Sequence, residues 1–327
     1  VNYKNYLDCV NDENCDPEIM FFGYVIPEEI LSWPGDRVNI DGTYEYLAPF
    51  TDINNNGIYD AGIDYPEYNL DGDINCSNEN TLFGDQSIWW VFNDNGNTHA
   101  ESGSESAIGL EIQAQAFAFS AIATNPLNNS TFYNYKIINR STQTLNDTYF
   151  GQWVDPDLGD YQDDFIGCDV GLGLGYCFNG DTIDEGVAGY NGPPVDELGN
   201  FENNNPTPAI GVDFFRGPLA DSSDGIDNDR DGEIDEEGEQ IIMSKFVYYK
   251  NDFSVHGNPE NAQHYYGYLR GIWKDGQTMT YGQTGWEGGN PECNFMYPGD
   301  TDLDNVGANG SWTESTVENT PSDRRFL

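Results

Sequence analysis

Residues 131–154, TFYNYKIINRSTQTLNDTYFGQWV, run directly into residues 155–169, DPDLGDYQDDFIGCD. In two parts of the first stretch, Thr131–Asn139 and Leu145–Val154, aromatic or β-branched residues alternate with polar ones, which is typical of β-strands. The segment between them, Arg140–Thr144, is short and polar, as the turn of a hairpin requires. The sequence therefore predicts a β-hairpin whose second arm ends on acidic residues.

The acidic residues after this predicted hairpin are close together in sequence, with no Lys or Arg among them. Carboxylates at such density repel one another unless a cation lies between them. Calcium fits this requirement because it takes about six to eight oxygen ligands and tolerates irregular loops. The alternative is a solvated acidic loop without an ion. The ligands expected for this cluster are Asp155, Asp157, Asp163 and Asp169.

The chain is strongly acidic, with 12 Lys and Arg against 57 Asp and Glu in 327 residues and a net charge of −45. This charge makes nucleic acid and anionic membrane surfaces unfavourable partners. Aromatic residues make up 14% and hydrophobic residues 37% of the chain, which is enough to bury a core. The acids gather in Asx/Gly loops, which favours discrete metal sites over a general adaptation to high salt.

The even number of cysteines, six, suggests an oxidising, extracellular location with disulfides, and free buried thiols are the alternative. No Cys/His spacing typical of zinc is present. No apolar run reaches the roughly 18 residues that cross a bilayer, so direct membrane insertion is not expected. The chain does not begin with Met, and we expect it to be part of a longer protein. The predicted disulfides are Cys9–Cys15, Cys168–Cys177 and, at long range, Cys76–Cys293.

A first loop with calcium-type spacing begins at Asp52, in DINNNGIYDAGID. Oxygen-bearing side chains stand at its first, third, fifth and ninth positions, and Gly57 stands at the sixth, where a calcium loop of the EF-hand type turns sharply. The twelfth position is Ile63, and the closing carboxylate comes one residue later. An ordinary Asx/Gly turn is the alternative. The predicted ligands are Asp52, Asn54, Asn56, Asp60 and Asp64.

A second loop, in DGIDNDRDGEIDEEGEQ, repeats this spacing with more carboxylates. Gly232 again stands at the sixth position, Gly238 at the twelfth and Glu239 at the thirteenth, while Glu236 and Glu237 are also available to complete the ligand shell. Neither loop is flanked by long amphipathic helices, so we expect calcium-stapled β loops and not EF-hands. The predicted ligands are Asp227, Asp229, Asp231, Asp235 and Glu239.

Further strands are predicted from alternating patterns in SIWWVFND, GLEIQAQAFAFS, AIGVDFF and IIMSKFVYY. In the second of these, Leu110, Ile112 and three alanines share one face. Small residues let another sheet approach closely, which places this strand centrally in a sandwich. One amphipathic helix is predicted in residues 258–276, with Asn258 as N-cap and Gly276 as C-cap.

The predicted fold class is therefore mainly β, an antiparallel β-sandwich with long calcium-stapled loops and one short amphipathic helix. The predicted organisation is a loop-rich segment with a calcium-type loop over residues 1–82 and a sandwich core with inserted acidic loops over residues 83–327. One continuous domain is the alternative.

Several stretches carry a resemblance, among them GDQSIWWVFNDNGN, YGYLRGIWKDG and PGDTD. Together with the predicted strands and hairpin, they resemble a recurring N-terminal region of very large secreted or cell-surface proteins of Bacteroidota exported by the type IX secretion system. The likeness covers most of residues 20–327. It implies an extracellular or cell-surface location and a modular protein, and that family has no assigned activity.

Separately, Asp224–Glu237, DGIDNDRDGEIDEE, resembles a metal-binding repeat of secreted bacterial proteins. The repeat usually reads with Cys where Arg230 stands here. This departure removes a disulfide option and leaves the carboxylates.

No arrangement of residues typical of an enzyme stands out. His99, His256 and His264 lie in unrelated contexts, and no nucleophile elbow, HExxH or phosphate loop is present. We therefore expect a non-enzymatic, calcium-rigidified structural or adhesive module of a larger surface protein or assembly, in contact with copies of itself or neighbouring domains. The alternative is a carbohydrate-binding module or, with a carboxylate pair, a glycoside hydrolase of a secreted protein that acts on polysaccharide.

Overall fold

The chain divides into two compact units. The first is formed by Val1–His99 and Glu105–Thr144, and the second by Ala100–Ser104 and Leu145–Leu327. The sequence pattern instead suggested a division after residue 82. In the computed structural model, the described residues are 3–38, 44–66, 84–96, 98–100, 103, 106–122, 125–180, 207–286, 289–302, 312–317 and 322–327.

The first unit begins with three short helices, and its strands form small antiparallel sheets. Pro27 precedes the third helix, and the helix ends before Pro34, as proline geometry predicts. The helices are α1 (Tyr3–Val10), α2 (Pro17–Met20), α3 (Glu28–Leu31) and a 3-10 helix (Pro126–Asn129). The strands are β1 (Asp36–Val38), β2 (Tyr44–Tyr46), β3 (Phe50–Thr51), β4 (Tyr65–Pro66), β5 (Gln86–Asn93), β6 (Leu110–Ala118) and β7 (Thr131–Asn139).

The largest sheet of the first unit is an antiparallel meander in the order β5-β6-β7. Trp90 pairs with Ala114, which pairs in turn with Tyr135, and this register continues along all three strands. The predicted strands β5 and β6 are therefore present, and β6 is the middle strand of this sheet. The described residues do not show the sandwich in which β6 was expected to be central. The shorter pairs are β1 with β2 and β3 with β4.

The predicted Thr131–Val154 hairpin is wrong. Its first arm is β7, but β7 pairs with β6, and no strand follows in Leu145–Val154. Arg140 explains the difference, because its backbone N–H donates to Gly109 O at 2.8 Å and its Nη2 donates to Glu111 Oε1 at 2.8 Å. These contacts hold the end of β7 against β6. Val154 instead forms an isolated bridge with Phe326, in the second unit.

The second unit contains a sheet in the order β10-β9-β8 and a separate strand pair near the C-terminus. Both are antiparallel. Its strands are β8 (Asp164–Asp169), β9 (Leu174–Asn179), β10 (Ala209–Asp213), β11 (Tyr248–Lys250) and β12 (Arg324–Phe326). Its helices are α4 (Ala262–Leu269) and α5 (Glu314–Val317).

The core of the second unit is rich in aromatic side chains that pack on β9. A Cβ atom added at Gly175 would lie 2.7 Å from Phe246 and 2.9 Å from Phe326, so the missing side chain lets both rings approach the strand. An ion pair between Arg324 and Glu314 is also buried in this region. Glu314 Oε2 accepts a hydrogen bond from Ile166 N at 2.8 Å, which ties α5 to β8.

The predicted amphipathic helix is present but shorter than expected. Its N-cap is Asn261, whose side chain accepts from His264 N, because Asn258 is bonded to Asp252 and Asn251 instead. Tyr268 is buried in the core of the second unit, whereas Tyr265 and Tyr266 are exposed. Four other short α-helices occur among the described residues, so the prediction of a single helix was wrong.

One predicted disulfide is present and another is wrong. Cys9 and Cys15 are bonded, whereas Cys168 and Cys177 are buried free thiols. In the register of β8 and β9, Cys168 lies opposite Gly175, so the two cysteines are diagonal neighbours, about 7–8 Å apart and too distant for a disulfide. Cys293 is also a free thiol, and Cys76 lies outside the described residues.

The fold is mainly β with several antiparallel sheets, as predicted at that level. The sheets of the described residues have two or three strands each. They do not show the two large facing sheets of the predicted sandwich.

Candidate metal-binding loops

The acidic loop of residues 227–239 lies in an excursion of the second unit that is closed at its base. Leu219 and Gln240 form an antiparallel bridge, and Ile241 N donates to Pro218 O at 2.9 Å. Within the loop, Arg230 and Gly232 have positive φ angles of 60° and 101°. The chain therefore turns sharply where the spacing predicted, and the carboxylates of the loop come together.

Two groups of carboxylates form in this loop, and they share one residue. Within each group, one oxygen from every residue lies within 4.8 Å of the others. Oxygen atoms around one calcium ion are at most about 5 Å apart, since each Ca–O distance is about 2.3–2.6 Å. The groups are Asp227, Asp229 and Glu239, and Asp229, Asp231 and Glu236.

Three carboxylate oxygens of these groups are buried and have no hydrogen-bond partner: Asp227 Oδ1, Glu236 Oε2 and Glu239 Oε2. The Glu239 side chain is the most enclosed, with only 4% of the residue exposed. Buried polar atoms normally have partners, and an isolated buried carboxylate carries a large desolvation cost. A bound cation would satisfy these oxygens.

The one basic residue inside the loop does not neutralise the carboxylates. The guanidinium of Arg230 lies 4.9 Å from the centre of the Phe295 ring, and its Nη2 donates to Met243 O at 2.5 Å. Arg230 therefore fixes the loop to the core of the second unit. Arg230 thus has a structural role in this loop.

The carboxylates affect one another's ionisation. An internal backbone hydrogen bond lowers the pKa of Glu236, but desolvation and repulsion from Glu239, Asp229 and Asp231 raise it, and the net direction is upward. A cation near these groups would reverse this effect because it favours their charged forms.

The structure changes the predicted ligand set of this loop at one position. Asp227, Asp229, Asp231 and Glu239 come together, but Asp235 Oδ1 accepts from Gly225 N at 3.1 Å and is in neither group. Glu236 occurs in its place. The sequence indicated Glu236 only as one of several further acids near the loop. The positive φ of Asp235, 57°, changes the direction of the chain here, so Glu236 and not Asp235 joins the group.

The loop of residues 52–64 in the first unit repeats this backbone geometry. It joins β3 to β4, and φ is positive at Asn55 and Gly57, which correspond to Arg230 and Gly232. Gly57 N donates to Asp52 Oδ2 at 2.8 Å, as Gly232 N donates to Asp227 Oδ2 at 3.0 Å. The two loops therefore share one architecture although they lie in different units.

The acid at the thirteenth position plays the same closing role in both loops. Ile53 N donates to Asp64 Oδ1 at 2.8 Å, and the equivalent Asn228 N donates to Glu239 Oε1. Asp64 is fully buried, and its second oxygen accepts from Asp60 N at 2.8 Å. Asp64 is thus committed to the backbone, unlike Glu239, which keeps one oxygen without a partner.

The remaining predicted ligands of the first loop surround Asp60. The Nδ2 atoms of Asn54 and Asn56 donate to Asp60 Oδ2 at 2.8 and 2.6 Å. Asp52 accepts from two backbone amides. This loop therefore closes through its own hydrogen bonds and offers an ion fewer carboxylates than the loop of residues 227–239.

The third predicted cluster is rearranged. Asp155 and Asp157 lie together with Asp323, which the sequence did not suggest, because the bridge between Val154 and Phe326 brings the two ends of the unit together. Arg325 Nη2 lies 3.0 Å from Asp155 Oδ2 and supplies positive charge. Burial raises the pKa of Asp155, and the charge of Arg325 opposes this shift.

The other two predicted ligands of that cluster cannot share an ion. Asp163 directly precedes β8, and Asp169 is its last residue. A strand rises about 3.3 Å per residue, so roughly 20 Å separates them. Asp169 Oδ1 instead accepts from Leu172 N at 3.0 Å in the turn to β9.

Comparisons with known proteins give no identification: no family model, no curated protein and no solved structure matches the chain. Among the described residues, no helix has both the length and the apolar character to cross a membrane.

Proposed function

We propose that this chain is a calcium-rigidified structural module of an extracellular assembly. The observation that carries the proposal is the group formed by Asp227, Asp229 and Glu239, in which buried carboxylate oxygens lack partners and lie at the spacing of ligands around one ion. The ion is calcium because all candidate ligands are oxygens and the loop is irregular. The loop of residues 52–64 would bind calcium more weakly.

The extracellular location is part of the proposal. The bond between Cys9 and Cys15 supports it, because disulfides persist in oxidising compartments. Calcium in extracellular modules is bound at dissociation constants around 0.1–1 mM. The resemblance to surface proteins exported by the type IX system agrees with this location. An ion that fixes a long loop also limits local unfolding and cleavage by proteases.

Contacts with copies of the chain or with neighbouring domains would use exposed strand edges. Among the described residues, β7 and β10 each pair with one strand only. Such edges present unpaired backbone groups that can extend a sheet. The net charge of −45 opposes contact between copies, and bound calcium would reduce this repulsion. Assembly is therefore expected to require calcium.

Light scattering and electron microscopy with millimolar calcium or with EGTA test this proposal. We expect assemblies in calcium that disperse in EGTA, and a variant with Asp227→Asn and Asp229→Asn that stays dispersed in both. Glu237→Gln is the matched control, because Glu237 lies in the same loop outside both groups. Wild-type monomers that remain dispersed at millimolar calcium would contradict the proposed assembly.

A further inference from the structure

The three-stranded sheet of the first unit buries the polar side chains of β6 on one side and exposes several large apolar side chains on the other. Glu111, Gln113 and Gln115 on β6 project to one side, and each is at most 5% exposed. Gln113 Nε2 donates to Leu47 O at 2.5 Å, and Gln115 Nε2 donates to Ser87 Oγ at 2.9 Å. This side is covered by the segment that contains Trp33, whose ring centre lies 5.7 Å from that of Trp89.

The opposite side, here called the outer face, carries no charged side chain at any of its positions. Several of its large side chains are exposed, including Ile88 at 57% and Tyr133 at 58%. In a chain with a net charge of −45, an uncharged face across three strands is a candidate surface for an uncharged partner. Its residues are Gln86, Ile88, Trp90, Phe92, Leu110, Ile112, Ala114, Ala116, Ala118, Thr131, Tyr133, Tyr135, Ile137 and Asn139.

The outer face is a surface of large side chains that follow the strands. Ala114 on the central strand is fully covered, because larger side chains rise from the strands on both sides: Ile88, Trp90 and Phe92 on β5, and Tyr133, Tyr135 and Ile137 on β7. These two rows of side chains run along the strand direction, so an extended polymer would lie on top of them.

Size argues against a second copy as the partner. Three strands with about eight residues each cover roughly 14 Å by 27 Å, or about 400 Å². A stable protein interface buries about 800 Å² on each partner, so the outer face alone is too small for a stable dimer. Two copies would also each bring a charge of −45 to the contact. A narrow, uncharged ligand is therefore favoured.

The aromatic side chains indicate which uncharged ligand fits. The rings of Tyr133 and Tyr135 are parallel within 5°, with centres 6.3 Å apart along the strand. A tyrosine offers an apolar ring and a polar hydroxyl on one side chain. A sugar ring likewise has an apolar CH face and a rim of hydroxyl groups. Burial raises the pKa of Tyr135, so its hydroxyl stays protonated and able to donate.

We propose that the outer face binds a neutral polysaccharide whose chain runs along the strands over the β5 and β7 side chains. This binding is independent of the calcium loops and adds an attachment function to the structural one.

Affinity gel electrophoresis tests this site with four neutral probes: hydroxyethyl cellulose, glucomannan, dextran and soluble starch. We expect at least one of them to retard the wild-type chain. The Tyr133→Ala, Tyr135→Ala double variant should bind at least tenfold more weakly, whereas Tyr133→Phe, Tyr135→Phe should keep most of the affinity because the rings remain. Phe253→Ala is the matched control, since Phe253 is 83% exposed in the second unit.

Circular dichroism of each variant confirms that the fold is kept, and sedimentation velocity measures self-association in parallel. The proposal is overturned if none of the neutral probes retards the chain, or if the double alanine variant binds as well as the wild type. Equal retardation by dextran sulfate would overturn the preference for uncharged chains. A concentration-dependent dimer that the double alanine variant abolishes would assign the outer face to self-association instead.

Discussion

Replacing Glu239 by Gln should have opposite effects on stability with and without calcium. The substitution keeps the shape of the side chain and the oxygen that accepts from Asn228 N, but it removes the negative charge. At 4.8 Å, two carboxylates repel by about 0.9 kcal/mol in water and about 3.5 kcal/mol at an effective dielectric constant of about 20. The lower value applies to the repulsion between Glu239 and Asp229, because Asp229 is partly exposed to solvent.

In EGTA, Glu239→Gln should therefore raise the free energy of unfolding by about 1–2 kcal/mol, because repulsion within the group decreases. With calcium at about 100 times its dissociation constant, the wild type gains about 2.7 kcal/mol from binding. This gain corresponds to roughly 5–11 °C in Tm for a unit of this size. The variant should lose most of that gain, so the order of the two Tm values reverses between the two buffers.

Differential scanning calorimetry in calcium and in EGTA measures this reversal. Glu237→Gln, in the same loop, should respond to calcium as the wild type does. A purely structural role of Glu239 would destabilise the variant equally in both buffers, and that result would refute the cation site. An unchanged wild-type Tm on addition of EGTA would refute it as well.

Two further predictions concern other buried groups. Asp64→Asn should destabilise the first unit by about 1–3 kcal/mol, because one of the two backbone N–H groups loses its acceptor. Denaturation in urea should give the same loss of stability with calcium and with EGTA. As a control, substitution of the exposed Asp8 by Asn should change the free energy of unfolding little. Burial raises the pKa of Cys293 from 9.0 to about 12, so the folded state holds the thiol proton more tightly than the unfolded state does. The protonated thiol therefore contributes its full stabilisation below about pH 9, and this stabilisation is lost as the pH rises towards 12. Cys293→Ala should flatten this decline in urea titrations at increasing pH, and a thiol reagent that labels Cys293 rapidly in the native protein at neutral pH would contradict its burial.

The sequence predicted well those features that depend on neighbouring residues. The turns of both acidic loops follow from glycine at the sixth position and from side-chain oxygens at alternate positions, which bond to nearby backbone N–H groups. The strands β5 and β6 follow from alternation. Such local patterns do not require knowledge of the remainder of the fold.

Features that depend on distant contacts were missed. Asp323 joins Asp155 only because Phe326 pairs with Val154, and nothing in the spacing of these acids indicates that pairing. Alternation along β6 also predicted two faces, but not that the face with Glu111 would be covered. Burial of that face depends on Arg140, which neutralises Glu111, and on the distant segment near Leu47.

The thirteenth residue explains why two loops of one architecture differ as metal sites. Asp64 is short, and both of its oxygens are used by backbone N–H groups at 2.8 Å. Glu239 is one methylene longer; one oxygen makes the equivalent closing bond and the other remains buried without a partner beside Asp227 and Asp229. The loop that closes through Asp64 can form without an ion. The loop that closes through Glu239 leaves negative charge enclosed, and a bound cation would neutralise it.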